Sequence, residues 1–344
     1  MKNRSIVITR YPKYEVQEQE ISSSIEGEEM LLKIEGVPFE MRNFPWSDFD
    51  GSVKVSLEHF IPGTQAVGRV ERVTQKASDV YGVAEGDRVF VEASIICGFC
   101  TPCLTGDYSV CAKQLRYGHF PLDAAPGPLG SISEHMRILP NSRIHKIPDG
   151  MPLERAALLG YAERAFRAIQ KRAEAGLGTR MLISGLNLFS LICGLVARDV
   201  GVSADIFADD ARGENADFVH NFGIRVVDEP EKNAYDVIIE TAGRTLKEET
   251  LARMWDVLAP KGRFIFTDYA PDVRIPFEKF LSRELTLAGL SEPSWDFKSA
   301  FRFVESHASD LSMIESNVLD AADFGVLLSK VEKHPMASVI AVWK

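Results

Sequence analysis

The chain has 344 residues, 45% of them apolar and 26% charged, with 39 Lys and Arg against 49 Asp and Glu and a formal net charge of −10. That length exceeds the roughly 100–200 residues of one domain, so two domains are expected, and the composition belongs to a chain that folds throughout. No basic run can neutralise a row of phosphates, the apolar stretch near Met1 is too short for a signal peptide, and nowhere do about 18 apolar residues run together; nucleic acid and membrane are therefore excluded as partners and a cytoplasmic location is expected.

Taken in order, residues 4–10, 29–36, 65–75 and 87–94 predict strands, with partial alternation in Ala66–Val73, and Glu85-Gly86-Asp87 marks a turn before Arg88-Val89-Phe90-Val91. Pro148-Asp149-Gly150 closes this β-rich part and supplies a boundary, giving a first domain over 1–150. From Pro152 to Gly176 the apolar residues Leu153, Ala156, Ala157, Ala165, Phe166 and Ile169 fall at helical spacing and predict one long helix. Strands then alternate with helices: Met181–Ser184, helix 188–200, Asp205–Ala208, helix 213–222, Val237–Glu240, helix 246–258, Arg263–Phe266. Such alternation predicts a doubly wound parallel sheet over 151–290. Helices near 296–305 and 321–332 and a strand over Ser338–Val342 follow, and this tail, 291–344, is expected to complete the first domain. Cys193, between Leu191, Ile192 and Leu195, is expected to be buried packing.

Of five cysteines, four lie within fifteen residues: Cys97, Cys100, Cys103 and Cys111, spaced by two, two and seven. Clustered thiols more often hold metal than form disulfides in a reducing compartment, and four thiolates around one ion leave no position for water or substrate. A closed structural zinc site is the reading; an iron–sulfur cluster or unligated cysteines are the alternatives.

The same C-x2-C-x2-C-x7-C lobe, with Gly86-Asp87-Arg88-Val89, Ser133-Glu134-His135, Ile147-Pro148-Asp149-Gly150, Ala156-Ala157-Leu158-Leu159, Asp236–Glu240 and Arg283–Leu287 in this order, resembles the medium-chain dehydrogenase/reductases, specifically the zinc-containing alcohol and polyol dehydrogenases. The resemblance implies an α/β chain with a GroES-like β domain and a Rossmann domain. It also implies an oxidoreductase with one structural zinc, a small-molecule substrate and a homodimeric or homotetrameric assembly.

Where a dinucleotide fingerprint G-x-G-x-x-G would stand, the chain reads Gly185-Leu186-Asn187-Leu188-Phe189-Ser190. The first glycine makes the tight turn, the second admits the pyrophosphate and the third lets helix and strand pack. Asn187 is a residue able to adopt the positive φ of the second glycine and Ser190 is small, so the turn and the packing are expected to persist with a less intimate phosphate contact. Asp209, twenty-four residues after Gly185, suits the adenosine ribose hydroxyls and favours NAD over NADP, while Arg212 keeps NADP open. Thr241, after Glu240, completes the expected cofactor set.

Zinc members of the family hold a second, catalytic ion. The resemblance sets its ligand positions at Pro38, at Thr64 and Gln65, and at Gly160 or Tyr161, none of which offers a strong ligand set. His59 nearby reads as a surface or packing residue. Glu40 aligns with the family's proton relay, and Tyr161 is a second proton donor; Thr64 and Gln65 stand with them as candidate catalytic residues. Asn43, Trp46, Asp48 and Asp50, and the insertion 118–127, wall a pocket or form ordinary loops. Three functions remain: an NAD(P)-dependent oxidoreductase without catalytic zinc, acting on a carbonyl, alcohol or conjugated alkene; a redox-neutral epimerase, lyase or cyclase with a tightly held dinucleotide; and a non-catalytic binding protein.

Overall fold

The computed structural model describes residues 1–10, 13–40, 59–209, 211–269, 273–291 and 297–344, which form two compact units. Met1–Gly160, Glu315–His334 and Ser338–Lys344 make the first; Tyr161–Ile314 and Pro335–Ala337 make the second. The divisions thus fall at Gly160 and Ile314, where the sequence pattern had pointed to 150 and 290. Among the described residues no helix is long and apolar enough to cross a membrane.

In the first unit β1 (Lys2–Arg10) and β2 (Lys13–Glu20) form an antiparallel ribbon. The larger sheet contains β3 (Met30–Pro38), β4 (Ala66–Val73), β5 (Arg88–Ile95), β6 (Leu115–Arg116), β7 (His135–Ile138) and β8 (Ser142–Lys146). The tail strands Ser316–Asp320 and Ser338–Val342 extend it beside β3. β7 joins the other side of β3, and β8 joins β5. One core gathers Ile6, Val37, Phe39, Phe60, Phe324 and Val339; another lies among Met30, Val70, Val89, Tyr117 and Met136. Phe39 donates its backbone N–H to Val339 O at 2.8 Å and meets Phe324 edge-on, so the chain leaving β3 is held where Glu40 begins.

The second unit has a six-stranded sheet of β9 (Arg180–Ser184), β10 (Ser203–Phe207), β11 (Arg225–Val227), β12 (Tyr235–Glu240), β13 (Leu258–Phe266) and β14 (Thr286–Gly289). Every pair is parallel and the order is 11-10-9-12-13-14. Met181, Leu182 and Ile183 of β9 and Val237, Ile238 and Ile239 of β12 are buried, as befits central strands covered on both faces. Order reverses between β9 and β12, the switch point where such sheets bind ligands at their carboxyl ends.

The single helix expected over 152–176 is instead three pieces: Leu153–Ala156, Leu159–Phe166 and a π turn over Arg167–Arg172. The wide turn ends with Ala173 N–H donating to Ala168 O, five residues back, a bond that an unbroken α-helix does not make.

Candidate functional site

β5 delivers the chain to the cysteine lobe. Gly98, at φ +78°, turns it; Cys103 sits in the short helix Thr101–Leu104, and Cys111 follows the 3-10 turn Tyr108–Val110. Cys97 Sγ lies 3.9 Å from Cys103 Sγ, Cys100 Sγ lies 3.9 Å from Cys111 Sγ, and all four sulfurs fall within 4.8 Å of one another. Four thiolates at the zinc–sulfur distance of about 2.3 Å around a tetrahedron stand about 3.8 Å apart, so the geometry fits zinc. Backbone N–H groups of Cys103 and Ala112 pull the Cys100 thiol down to about 6, while burial pushes Cys103 up to about 12. The lobe is tied down by Arg143 over the Tyr108 ring and by Gln114 Nε2 donating to Ser94 Oγ at 2.7 Å. Among the described residues this is the one cluster of three or more His, Cys, Asp or Glu side chains placed to hold an ion.

In the second unit, β9 is followed by Gly185 at φ +103°; a Cβ there would also meet Ala242 N and Thr241 Oγ1 at 3.0 Å, so both the turn and the close approach favour glycine. The structure corrects the expectation for Asn187, which is extended at φ −145°, ψ 172°. It is the N-cap of helix Leu188–Asp199: its Oδ1 accepts from Ser190 N at 2.9 Å, and Ser190 Oγ accepts from Asn187 N at 3.0 Å. The missing glycine has been replaced by a reciprocal cap rather than by a left-handed residue. Leu188 N–H donates to Pro335 O at 2.7 Å, and Asn187 Nδ2 donates to Thr241 O at 2.9 Å. Ser190 is fully buried against the sheet, as the third glycine's place demands. Thr241 is turned inward, its hydroxyl donating to Ser184 O at 2.6 Å.

Asp209, just past β10, is half exposed and paired with Lys247 at 3.2 Å and Arg253 at 3.7 Å; Arg212 is exposed on the following loop. Glu240, at the end of β12, had been read only as part of a strand and of a family motif. It is fully buried, its Oε1 accepts from Ala242 N at 2.5 Å and Gly243 N at 2.9 Å, and its Oε2 has no partner among the described residues. Burial, reinforced by the charge of Asp268, pushes its pKa up to about 7. The signal available in sequence was a carboxylate directly after the apolar run Val237-Ile238-Ile239. Tyr161 is buried, with the Arg164 guanidinium 5.7 Å from its ring centroid and 3.5 Å from that of Phe189. Cys193 is buried and its thiol is pushed up to about 12 by that burial, the state of a packing residue.

In the first unit Glu40, Thr64 and Gln65 are all buried, and Thr64 Oγ1 has no partner among the described residues. A Cβ built on Gly160 would lie 2.4 Å from Gln65 Oε1. The Gln65 amide therefore occupies the space where a side chain at 160 would begin, and two of the four family positions for a catalytic metal are packed on each other. His59 is exposed, at φ +56°. The segment 118–127 is a series of turns in which Leu122 N donates to His59 O at 2.7 Å. Asn43, Trp46, Asp48 and Asp50 lie outside the described residues.

Residues 27–149 match the alcohol dehydrogenase GroES-like domain. D-xylulose reductase A of Aspergillus oryzae is 24% identical over 288 residues, spanning 78% of this chain and 76% of that protein. An alcohol dehydrogenase of Thermotoga maritima shares the fold over the full length of both chains, with a TM-score of 0.82 at 19% identity. So does a short chain alcohol dehydrogenase of Escherichia coli CFT073 complexed with NADH, over 99% of each chain, with a TM-score of 0.80 at 16% identity. Residues 27–149 thus carry an alcohol dehydrogenase GroES-like domain, and the whole chain shares the fold of these alcohol dehydrogenases.

Proposed function

We propose that this protein is a dinucleotide-dependent oxidoreductase for a small polar substrate, a carbonyl or alcohol or a conjugated alkene, working with one structural zinc, no catalytic zinc and side-chain proton transfer. The observation that carries the metal-free part is the pair Gln65 and Gly160: the positions of two catalytic ligands hold a neutral amide and a glycine, with Gln65 Oε1 2.4 Å from where a Cβ at 160 would stand. Pro38 and Thr64 add no strong ligand.

Without a Lewis acid, the charge that develops on a substrate oxygen must be met by proton donors. Glu40 is the first choice, a buried carboxyl fixed by the Phe39 backbone bond, with the Thr64 hydroxyl and the Gln65 amide as hydrogen-bonding groups in the same unit. Tyr161 is the second donor. Conjugate reduction of an alkene suits this set, since the proton donor alone assists it.

A dinucleotide, which supplies or accepts the hydride when bound, fits the second unit better at one end than along its length. Asp209 would hold the adenosine ribose, with Arg212 beside it, and a carboxylate there favours NAD. Gly185, Leu186, Asn187 and Leu188 would flank the diphosphate, and Thr241 the ring-side edge of the turn. The redox-neutral alternative needs a tightly held dinucleotide, which the internally bonded helix start disfavours.

Elemental analysis combined with NADH oxidation over a panel of enones, aldehydes and ketoses tests the proposal. One zinc per chain with steady turnover is the expected result. Two zincs per chain would sink the metal-free mechanism, and dinucleotide co-purifying with the protein without turnover would favour the redox-neutral class.

A further inference from the structure

In a G-x-G-x-x-G turn the backbone N–H groups that open the helix are left for phosphate oxygens. Here the protein's own oxygens hold three of them, those of residues 187, 188 and 190. Ser190 N donates to Asn187 Oδ1, Asn187 N to Ser190 Oγ, and Leu188 N to Pro335 O, at 2.9, 3.0 and 2.7 Å. Each acceptor is itself fixed: Asn187 by its Nδ2 bond to Thr241 O, Ser190 by its hydroxyl donating to Asn187 O at 2.6 Å, and Pro335 by belonging to the second unit's own fold. The extended backbone of Asn187 carries no left-handed strain, so the closed arrangement is a relaxed one.

We infer that Asn187, Ser190 and the Pro335 carbonyl close the diphosphate turn, so that a dinucleotide binds this chain through its adenosine end and gains little from its diphosphate. A phosphate entering the turn must trade places with acceptors already present and face the partial negative charge of Asn187 Oδ1. Two glycines at these positions would leave the amides of residues 187 and 190 open, with the Leu188 amide still on Pro335 O. Asn187 and Ser190 are therefore the affinity determinants of the site, a reading that rests on the proposed dinucleotide function of the second unit.

The test compares two probes, adenosine and ADP-ribose, by calorimetry on the full zinc-loaded chain; the ratio of their dissociation constants reports the diphosphate with its terminal ribose, and its change in variants of the turn reports the diphosphate. Wild type is expected to bind ADP-ribose less than about tenfold tighter than adenosine, and Asn187→Gly/Ser190→Gly to widen that ratio by about tenfold or more. Melting temperature and zinc content establish that the variant is folded. Ser190→Ala keeps the Asn187 cap and frees only the Asn187 amide; it serves if the double variant fails to fold, with an expected widening of about two- to threefold. A wild-type ratio above about a hundredfold that neither variant changes would overturn the inference and leave the cofactor reading standing. Absence of binding of either probe, and of NADH, at millimolar concentration in wild type and folded variants would overturn both.

Discussion

The cysteine lobe and the turn after β9 are both short loops that leave a strand end with polar groups to satisfy, and they reach opposite ends. Thiolates cannot satisfy one another: each added sulfur raises the repulsion, so four of them within 4.8 Å call for a cation from outside. Backbone N–H groups at a helix start donate to any oxygen, and one Asn and one Ser are enough to supply it from within. A site whose groups repel keeps its demand for a ligand through sequence change, whereas a site built of amides can be closed by two substitutions.

The largest expected effect comes from breaking the lobe. Cys103→Ser removes a buried ligand and is expected to cost the bound zinc and several kcal/mol, up to a bound of roughly 10–16 kcal/mol for small zinc modules. Zinc content and denaturant unfolding read it. An unchanged midpoint would show that the lobe does not depend on its ion.

Next is Glu40→Gln, which keeps size and removes the exchangeable proton. A fall of about 10²–10⁴-fold in the chemical step, roughly 3–5 kcal/mol, is expected in single-turnover rates, with zinc content unchanged. A value within about threefold of wild type would return Glu40 to packing, and a severe Tyr161→Phe would then move the proton to the phenol.

Glu240 sharpens the comparison from the side of a buried group that no partner fully satisfies. Its folded pKa of about 7 lies above the ordinary glutamate value of about 4.5, so between those values the native state holds a proton that the unfolded chain has released. Stability should therefore fall as pH rises from about 4.5 to about 7, by at most about 3 kcal/mol. Glu240→Gln, which mimics the protonated form, should flatten this dependence. Urea unfolding of both proteins at pH 5, 6, 7 and 8 measures the difference, and parallel curves would remove the titration from Glu240.

The smallest effect belongs to the cap. Asn187→Ala leaves Ser190 N without its acceptor and should cost about 0.5–2 kcal/mol in the second unit, read as a lowered urea midpoint.

The sheet of the second unit was legible because strands buried on both faces write themselves as apolar runs, as Met181–Ile183 and Val237–Ile239 do. The cysteine spacing was legible because one segment carries every ligand. β2 was missed: Lys13–Glu20 is charged and largely exposed, and its order comes from pairing with β1, as in Lys2 with Glu18 at 2.6 Å. The break in the helix after Pro152 was missed because apolar spacing does not distinguish an α turn from a π turn. Asn187 was misread because a residue type that tolerates positive φ is also a strong cap, and the choice depended on Ser190. Pro335 could not be foreseen at all, since its carbonyl meets Leu188 only through the fold.

The strand Ser338–Val342 lies in the first unit's sheet with Ile340 opposite Pro38 and Ala341 opposite Val37. In sequence, residues 161–314 lie between the two parts of the chain that build the first unit. On the ribosome, where chains emerge amino end first, the second unit has nearly all its residues before the first can complete its own. Until the tail strand appears, the Val37–Pro38 end of β3 lacks its partner, although Met30–Lys33 is already paired with β7. Order of synthesis and order of completion are thus inverted in this molecule. Its most exposed moment in the cell comes late, when the sheet begun by the earliest residues waits on the newest ones.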